Sequence, residues 1–271
     1  MQRTGIEYLT HTWNPLAMRC TPVSEGCVHC WHIAMAKRHA GNPIHSDDVR
    51  AAYAGHNVVL REKELEAPLR MRKSARIGVQ FMGDLFFAGV SLRYIAQIVD
   101  VIESTPQHTY LILTKRPGRL LSFMDWMIGE GADMPGSFTR WPDNVWLGVT
   151  AENQQRADER IPLLLQCPAA VRFVSVEPML GAVDFHVPSV PDGSGAWRNA
   201  LTVDDPYTKE RHLDWIICGG ETGPGARTMD PAWARSVRDQ CKVAGVPFFM
   251  KQMSGGAPIP DDLLIREWPQ G

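Results

Sequence analysis

Residues 171–178 read Val-Arg-Phe-Val-Ser-Val-Glu-Pro, an apolar run that stops at a carboxylate and a proline. Apolar residues stand at both odd and even positions, which predicts a strand buried on both faces, as in a parallel sheet. The same form recurs on either side. RIGVQFM (76–82), TYLILT (109–114) and VWLGVT (145–150) precede it, and LDWIICG (213–219) and VPFFMK (246–251) follow. Helix candidates lie between the runs. Ser91 caps 91–104, where Leu92, Ile95, Val99 and Ile102 share a face. The stretch 154–166 offers Ala157, Ile161, Leu164 and Leu165, and Asp230-Pro231 opens a helix with Ala234, Val237, Cys241 and Ala244 at helical spacing.

Repeated strand–helix units predict an α/β fold. A partial or distorted (βα) barrel fits best, and an open doubly wound sheet is the runner-up. Either architecture puts chemistry at the strand C-terminal ends. The 271 residues, 44% hydrophobic, are read as a single domain, 1–271, with an irregular loop at 13–32. A Pro/Gly/polar-rich segment, 187–212, reads as an exposed insertion.

The formal net charge is −2 and the pI about 6.5, so no global basic field marks a sequence-independent nucleic-acid binder. A local basic pocket for a substrate is still allowed. No apolar run of membrane-spanning length occurs, and the first fifteen residues lack a signal-peptide pattern. The expectation is a cytoplasmic protein, with no membrane partner, in which clustered cysteines stay reduced and bind metal. The basic stretch 61–76 reads as a solvated helix followed by a loop. Trp13, Trp31, Trp146 and Trp233 read as packing residues.

Three of the six cysteines, Cys20, Cys27 and Cys30, fall within eleven residues at C-x6-C-x2-C spacing. Three thiolates suit a [4Fe–4S] cluster with one iron left for an exogenous ligand such as S-adenosylmethionine. The competing reading is a structural zinc completed by His32, or less well by His29. Chance grouping of free thiols is the remaining reading.

The strands end in polar signatures: Gly83-Asp84, Thr114-Lys115-Arg116-Pro117, Thr150-Ala151-Glu152-Asn153, Glu177-Pro178, Gly219-Gly220-Glu221 with Arg227, and Lys251-Gln252. Charges placed straight after buried strands are costly unless they face a polar cavity or pair with one another. Asp84, Lys115, Glu152, Asn153, Glu177, Glu221, Arg227 and Lys251 are therefore candidate cofactor-binding residues. Adjacent glycines suit close approach by a ligand. Lys115-Arg116 reads as a phosphate clamp or as surface charge, and an internal salt-bridge network is the competing reading of the whole set.

Together these segments resemble the three-cysteine-motif proteins of phages and prophages. The resemblance runs nearly end to end: Thr12-Trp13-Asn14-Pro15, the cysteines, Gly83-Asp84-Leu85-Phe86, Leu113 to Pro117, Gly148-Val149, Glu177-Pro178, Gly219-Gly220-Glu221, Ala226-Arg227, Lys251-Gln252 and Pro260 to Leu264. That family in turn looks like a distant branch of the radical S-adenosylmethionine enzymes, nearest to spore photoproduct lyase. The resemblance implies a barrel of that type, a [4Fe–4S] cluster, S-adenosylmethionine, an external electron donor, and Asp84 ahead of Glu177 at the cofactor's amino group. It also departs from the pattern: three residues are inserted between the first two cysteines, His29 replaces the aromatic residue before the third, and no early Gly-Gly-Glu motif stands at the second strand. The implied substrate is a small molecule, a nucleotide or modified DNA. One version is isomerisation of an amino-acid-modified thymidine that shields phage DNA from restriction. A zinc- or cluster-stabilised binding module for a protein or nucleic acid is the alternative function, and a redox switch a third.

Overall fold

The structure is a computed structural model of the chain, and it describes residues 1–129, 140–189, 196–202 and 211–269. The chain divides into two compact units, Met1–Trp146 and Leu147–Gly271, at a point where the sequence carries no boundary signal.

The first unit contains β1 (Gln2–Arg3), β2 (His11–Trp13), β3 (Leu16–Ala17), α1 (Trp31–Ala40), α2 (Asp47–Ala54), β4 (Val59–Leu60), α3 (Glu62–Leu65), β5 (Arg76–Val79), α4 (Leu92–Glu103), β6 (Thr109–Thr114) and α5 (Pro117–Ile128). Its sheet runs β1-β2-β5-β6. β1 and β2 are antiparallel, whereas β2–β5 and β5–β6 are parallel. β3 and β4 make a separate two-stranded ladder. α4 begins as the sequence predicts, with the Ser91 hydroxyl accepting the Arg93 N–H, and it buries Ile95, Ala96, Ile98, Val99 and Ile102. The run at 76–82 yields a shorter strand than expected. After Val79 the chain turns at Gln80, whose φ of 52° leaves the sheet. Of the basic stretch, only Glu62–Leu65 is helical, followed by a single 3-10 turn at Pro68–Arg70.

β7 (Val145–Thr150) begins at the end of the first unit. The second contains α6 (Gln154–Leu164), β8 (Val171–Val176), β9 (His186–Pro188), β10 (Trp197–Asn199), β11 (Trp215–Gly219), α7 (Pro231–Ala244) and β12 (Phe248–Gln252). Its strands run β7-β8-β11-β12, and β8–β11 and β11–β12 are parallel. All six residues of β8 are buried, as the continuous apolar run predicts. Each large side chain buried there contributes about 1.5–3 kcal/mol. α7 is capped by Asp230, whose carboxylate accepts the Ala232 N–H, and it buries Ala234, Val237 and Cys241. The fold is thus mixed α/β with mostly parallel strands, and neither unit contains a closed barrel among its described residues.

Part of the segment 187–212 is described, and it is partly buried. β9 and β10 form an antiparallel hairpin, and Val187, Ala200 and Leu201 are buried, so apolar residues inside a polar composition anchor it. Residues 190–195 and 203–210 lie outside the described residues. Trp31 also departs from its expected packing role, with 55% of its surface exposed, whereas Trp13 is fully buried.

Candidate functional site

In the first unit the polar residues after β5 and β6 pair with one another, and Arg116 among them reaches the cysteine loop at Thr21. The loop leaves β3, makes a short 3-10 turn at Glu25–Cys27, and enters α1 with Cys30 at its N-cap. All three cysteines are half-buried. Burial first, then Asp84, Cys30 and Cys27, push the Cys20 thiol up to about 12, so the three sulfurs share one electrostatic neighbourhood. Burial also acts against ionisation of Cys27. There, backbone hydrogen bonds at Val23 and Ser24, together with the Lys115 charge, win, and the thiol lies below its ordinary value. The Cys20 N–H points at His32 Nε2, 3.4 Å away. His32 itself is buried, and burial with the nearby Arg19 lowers its pKa to about 4. Its Nδ1 is buried without a hydrogen-bond partner.

Asp84 sits just past Gly83, whose φ of 132° suits only glycine. The carboxylate is buried and accepts four hydrogen bonds. Oδ1 receives the Phe86 N–H at 2.9 Å and the Thr114 hydroxyl at 2.8 Å. Oδ2 receives the Lys115 N–H at 3.1 Å and Arg116 Nη1 at 3.0 Å. Two expected strand-end motifs, Gly83-Asp84 and Thr114-Lys115-Arg116, are thereby one hydrogen-bonded structure. Arg116 reaches further, donating from Nη2 to the Thr21 carbonyl at 2.7 Å, one residue past Cys20.

In the second unit each candidate carboxylate has a cation of its own. Glu152 is fully buried and pairs with Arg160 at 2.8 Å, and Arg160 also donates to the Thr150 carbonyl. Asn153 caps α6, its side-chain oxygen accepting the Arg156 N–H at 3.1 Å. Glu177 follows β8, joined to Pro178 by a cis bond, and its Oε1 accepts from Lys251 Nζ and from Gln252 Nε2. Glu221 holds Arg227 through the Arg227 backbone N–H and two guanidinium nitrogens. The glycines serve internal packing: a Cβ on Gly220 would lie 2.3 Å from Ser254 N, and one on Gly219 would lie 3.3 Å from Glu177 Cδ. Each of these carboxylates is thus already paired, and a ligand's charged groups would have to exchange with pairs already made.

A cleft of about 1280 Å³ in the second unit lies elsewhere. Val171, Asp214, Val246 and Phe248 on its wall belong to the starts of strands, opposite the ends that carry the candidate residues. Among the described residues no three His, Cys, Asp or Glu side chains are gathered to hold a metal ion as they stand. The donor set still fits a thiolate-ligated centre in kind. One loop supplies three half-buried thiols, and the other three cysteines are buried in the second unit. Residues that sequence reasoning passed over are Gln80, Arg160, Ser254 and Thr21. Gln80 carried a legible signal, because a lone amide inside an apolar run has to find buried partners.

A family model described as protein of unknown function (DUF5131) matches residues 3–260, so the chain belongs to that family. No curated protein and no solved structure matches it.

Proposed function

We propose that Cys20, Cys27 and Cys30 hold a [4Fe–4S] cluster and that the chain acts with S-adenosylmethionine as a radical enzyme. The observation that carries this reading is three half-buried thiols on one short loop, with no fourth cysteine in their unit. Three thiolates leave one iron for an outside ligand. When reduced by an external donor, such a cluster supplies the electron that cleaves S-adenosylmethionine to a radical able to take hydrogen from a substrate.

The chain's own residues set the conditions. Lys115 and the backbone hydrogen bonds at Val23 and Ser24 favour the thiolate of Cys27. Asp84 holds the turn that carries Lys115 and Arg116. In the second unit, Glu177 with Lys251, and Glu221 with Arg227, are charged pairs able to exchange with a zwitterionic or phosphorylated ligand, and Glu152 and Asn153 complete the strand-end candidates there. A nucleobase or nucleotide substrate, with isomerisation of a modified thymidine in phage DNA as its concrete form, is supported by the resemblance alone. So are the partial-barrel architecture and the cytoplasmic location. No described helix is long and apolar enough to cross a membrane.

A structural Cys3His zinc is the second reading, and one observation favours it: neutral His32 is buried beside Cys20, and its ring receives one long hydrogen bond, from the Cys20 N–H at 3.4 Å, that a metal could replace. Single Cys→Ser changes test the proposal. After anaerobic reconstitution, Cys20→Ser, Cys27→Ser and Cys30→Ser each lose the cluster's visible absorption, whereas Cys167→Ser keeps it. A cluster retained by any of the first three contradicts the ligand assignment, and a loss of bound zinc in His32→Ala favours the second reading.

A further inference from the structure

The Asp84–Arg116 pair explains two sequence motifs at once, and its second arm ends on the cysteine loop. We infer that Arg116 is a positioning residue, bracing the loop that carries Cys20 against the end of β6 through Asp84. The role it assigns to the braced loop rests on the cluster proposal; the brace itself rests on geometry.

The guanidinium is committed on three sides. Nη1 donates to Asp84 Oδ2 at 3.0 Å, Nη2 donates to the Thr21 carbonyl at 2.7 Å, and the group lies 5.3 Å from the Phe87 ring centroid. Its side chain keeps only 14% of its exposure and that of Asp84 only 7%. Asp84 receives three further donors, from Phe86, Thr114 and Lys115. A carboxylate with about four acceptor positions is then saturated. This pins Arg116 at the base, so its free fork can only point one way. Thr21, Pro22 and Val23 are exposed, and the bond from Cys20 N–H to His32 Nε2 is long at 3.4 Å. The charge-assisted bond to Thr21 is therefore the firmer hold on this end of the loop. Lysine could keep the ion pair with Asp84 but lacks the fork needed to reach Thr21 as well.

The test uses the reduced, metal-free chain and reads alkylation cysteine by cysteine by mass spectrometry. Arg116→Lys, which keeps the positive charge near the Cys20 thiol, should raise the rate at Cys20 by about tenfold, the size expected for losing a charge-assisted hydrogen bond; Arg116→Ala should raise it less, because it also removes a charge that favours the thiolate. Buried Cys167, Cys218 and Cys241 should stay protected. Rescue by lysine would mean that charge alone matters, and an unchanged rate in both variants would mean that nothing is braced; either result overturns the inference. If Arg116→Ala exposes Cys218 it has unfolded, and Arg116→Lys then carries the test. Since no metal is present, this result is independent of whether the cysteines bind iron or zinc.

Discussion

Gln80 and Leu16 are joined twice: the Leu16 N–H donates to Gln80 Oε1 at 3.0 Å, and Gln80 Nε2 donates to the Leu16 carbonyl at 3.1 Å. The same amide also donates to the Met82 carbonyl at 3.0 Å. A buried side chain thus takes the place of a neighbouring strand, just where β5 ends and the chain turns toward Asp84. Replacing it with leucine leaves three backbone groups without this partner, each costing about 1–3 kcal/mol when buried. Gln80→Leu should lose about 3 kcal/mol or more in urea unfolding, and a loss below about 0.5 kcal/mol would show that water replaces the amide.

Glu152 and Arg160 make a second test of what a strand-end charge does. The pair is buried on both sides, with side-chain exposures of 0% and 5%. Removing one charge strands the other, at about 3–5 kcal/mol. Glu152→Gln should therefore unfold earlier in a thermal melt by that equivalent. A variant of unchanged stability that binds S-adenosylmethionine more weakly would instead make Glu152 a ligand residue.

Gly220 lies against backbone and has no room to give. A methyl group there would sit 2.3 Å from Ser254 N, 2.5 Å from its Oγ and 2.7 Å from the Met253 carbonyl carbon. Ser254 Oγ also accepts the Met229 N–H at 3.0 Å. Gly220→Ala should cost about 1–3 kcal/mol by overpacking, read as a lower urea midpoint. An unaltered midpoint would mean that the Ser254 turn shifts freely.

These cases show what the sequence made legible. The strands at 109–114, 145–150 and 171–176 were readable to the residue because near-continuous apolar runs have few alternatives. Ser91 and Asp230 announced their helices because N-caps act locally. Asn153 carries the same local signal and caps α6. The partners of the carboxylates were not legible: Asp84 meets Arg116 across 32 positions and Glu177 meets Lys251 across 74, so only the folded topology joins them. Arg160 hid for another reason, since one charge on an amphipathic helix looks solvated until its carboxylate is placed. The short strands β1, β3 and β4 have two residues each, too few for any periodicity.

The thiols make a pH prediction. Cys27 lies below its ordinary value, so in metal-free protein its thiolate appears at lower pH than that of a model thiol, whereas Cys20 stays protonated until about pH 12. Alkylation at Cys27 should set in at lower pH than for a model thiol and should outpace Cys20 across the range below pH 9. Lys115→Gln should move the Cys27 profile to higher pH, because it removes a charge that favours the thiolate. Equal profiles for the two cysteines would contradict the shared field described for the loop.

The central claim meets its most direct test in anaerobic purification with iron reconstitution, followed by reduction with S-adenosylmethionine present. Iron, sulfide and zinc are counted per chain, and 5′-deoxyadenosine is sought by mass spectrometry. The account predicts about four irons with matching sulfide, and deoxyadenosine formed only when a reductant is supplied. Stoichiometric zinc with no cleavage of S-adenosylmethionine would contradict it and leave the three cysteines as a structural metal site.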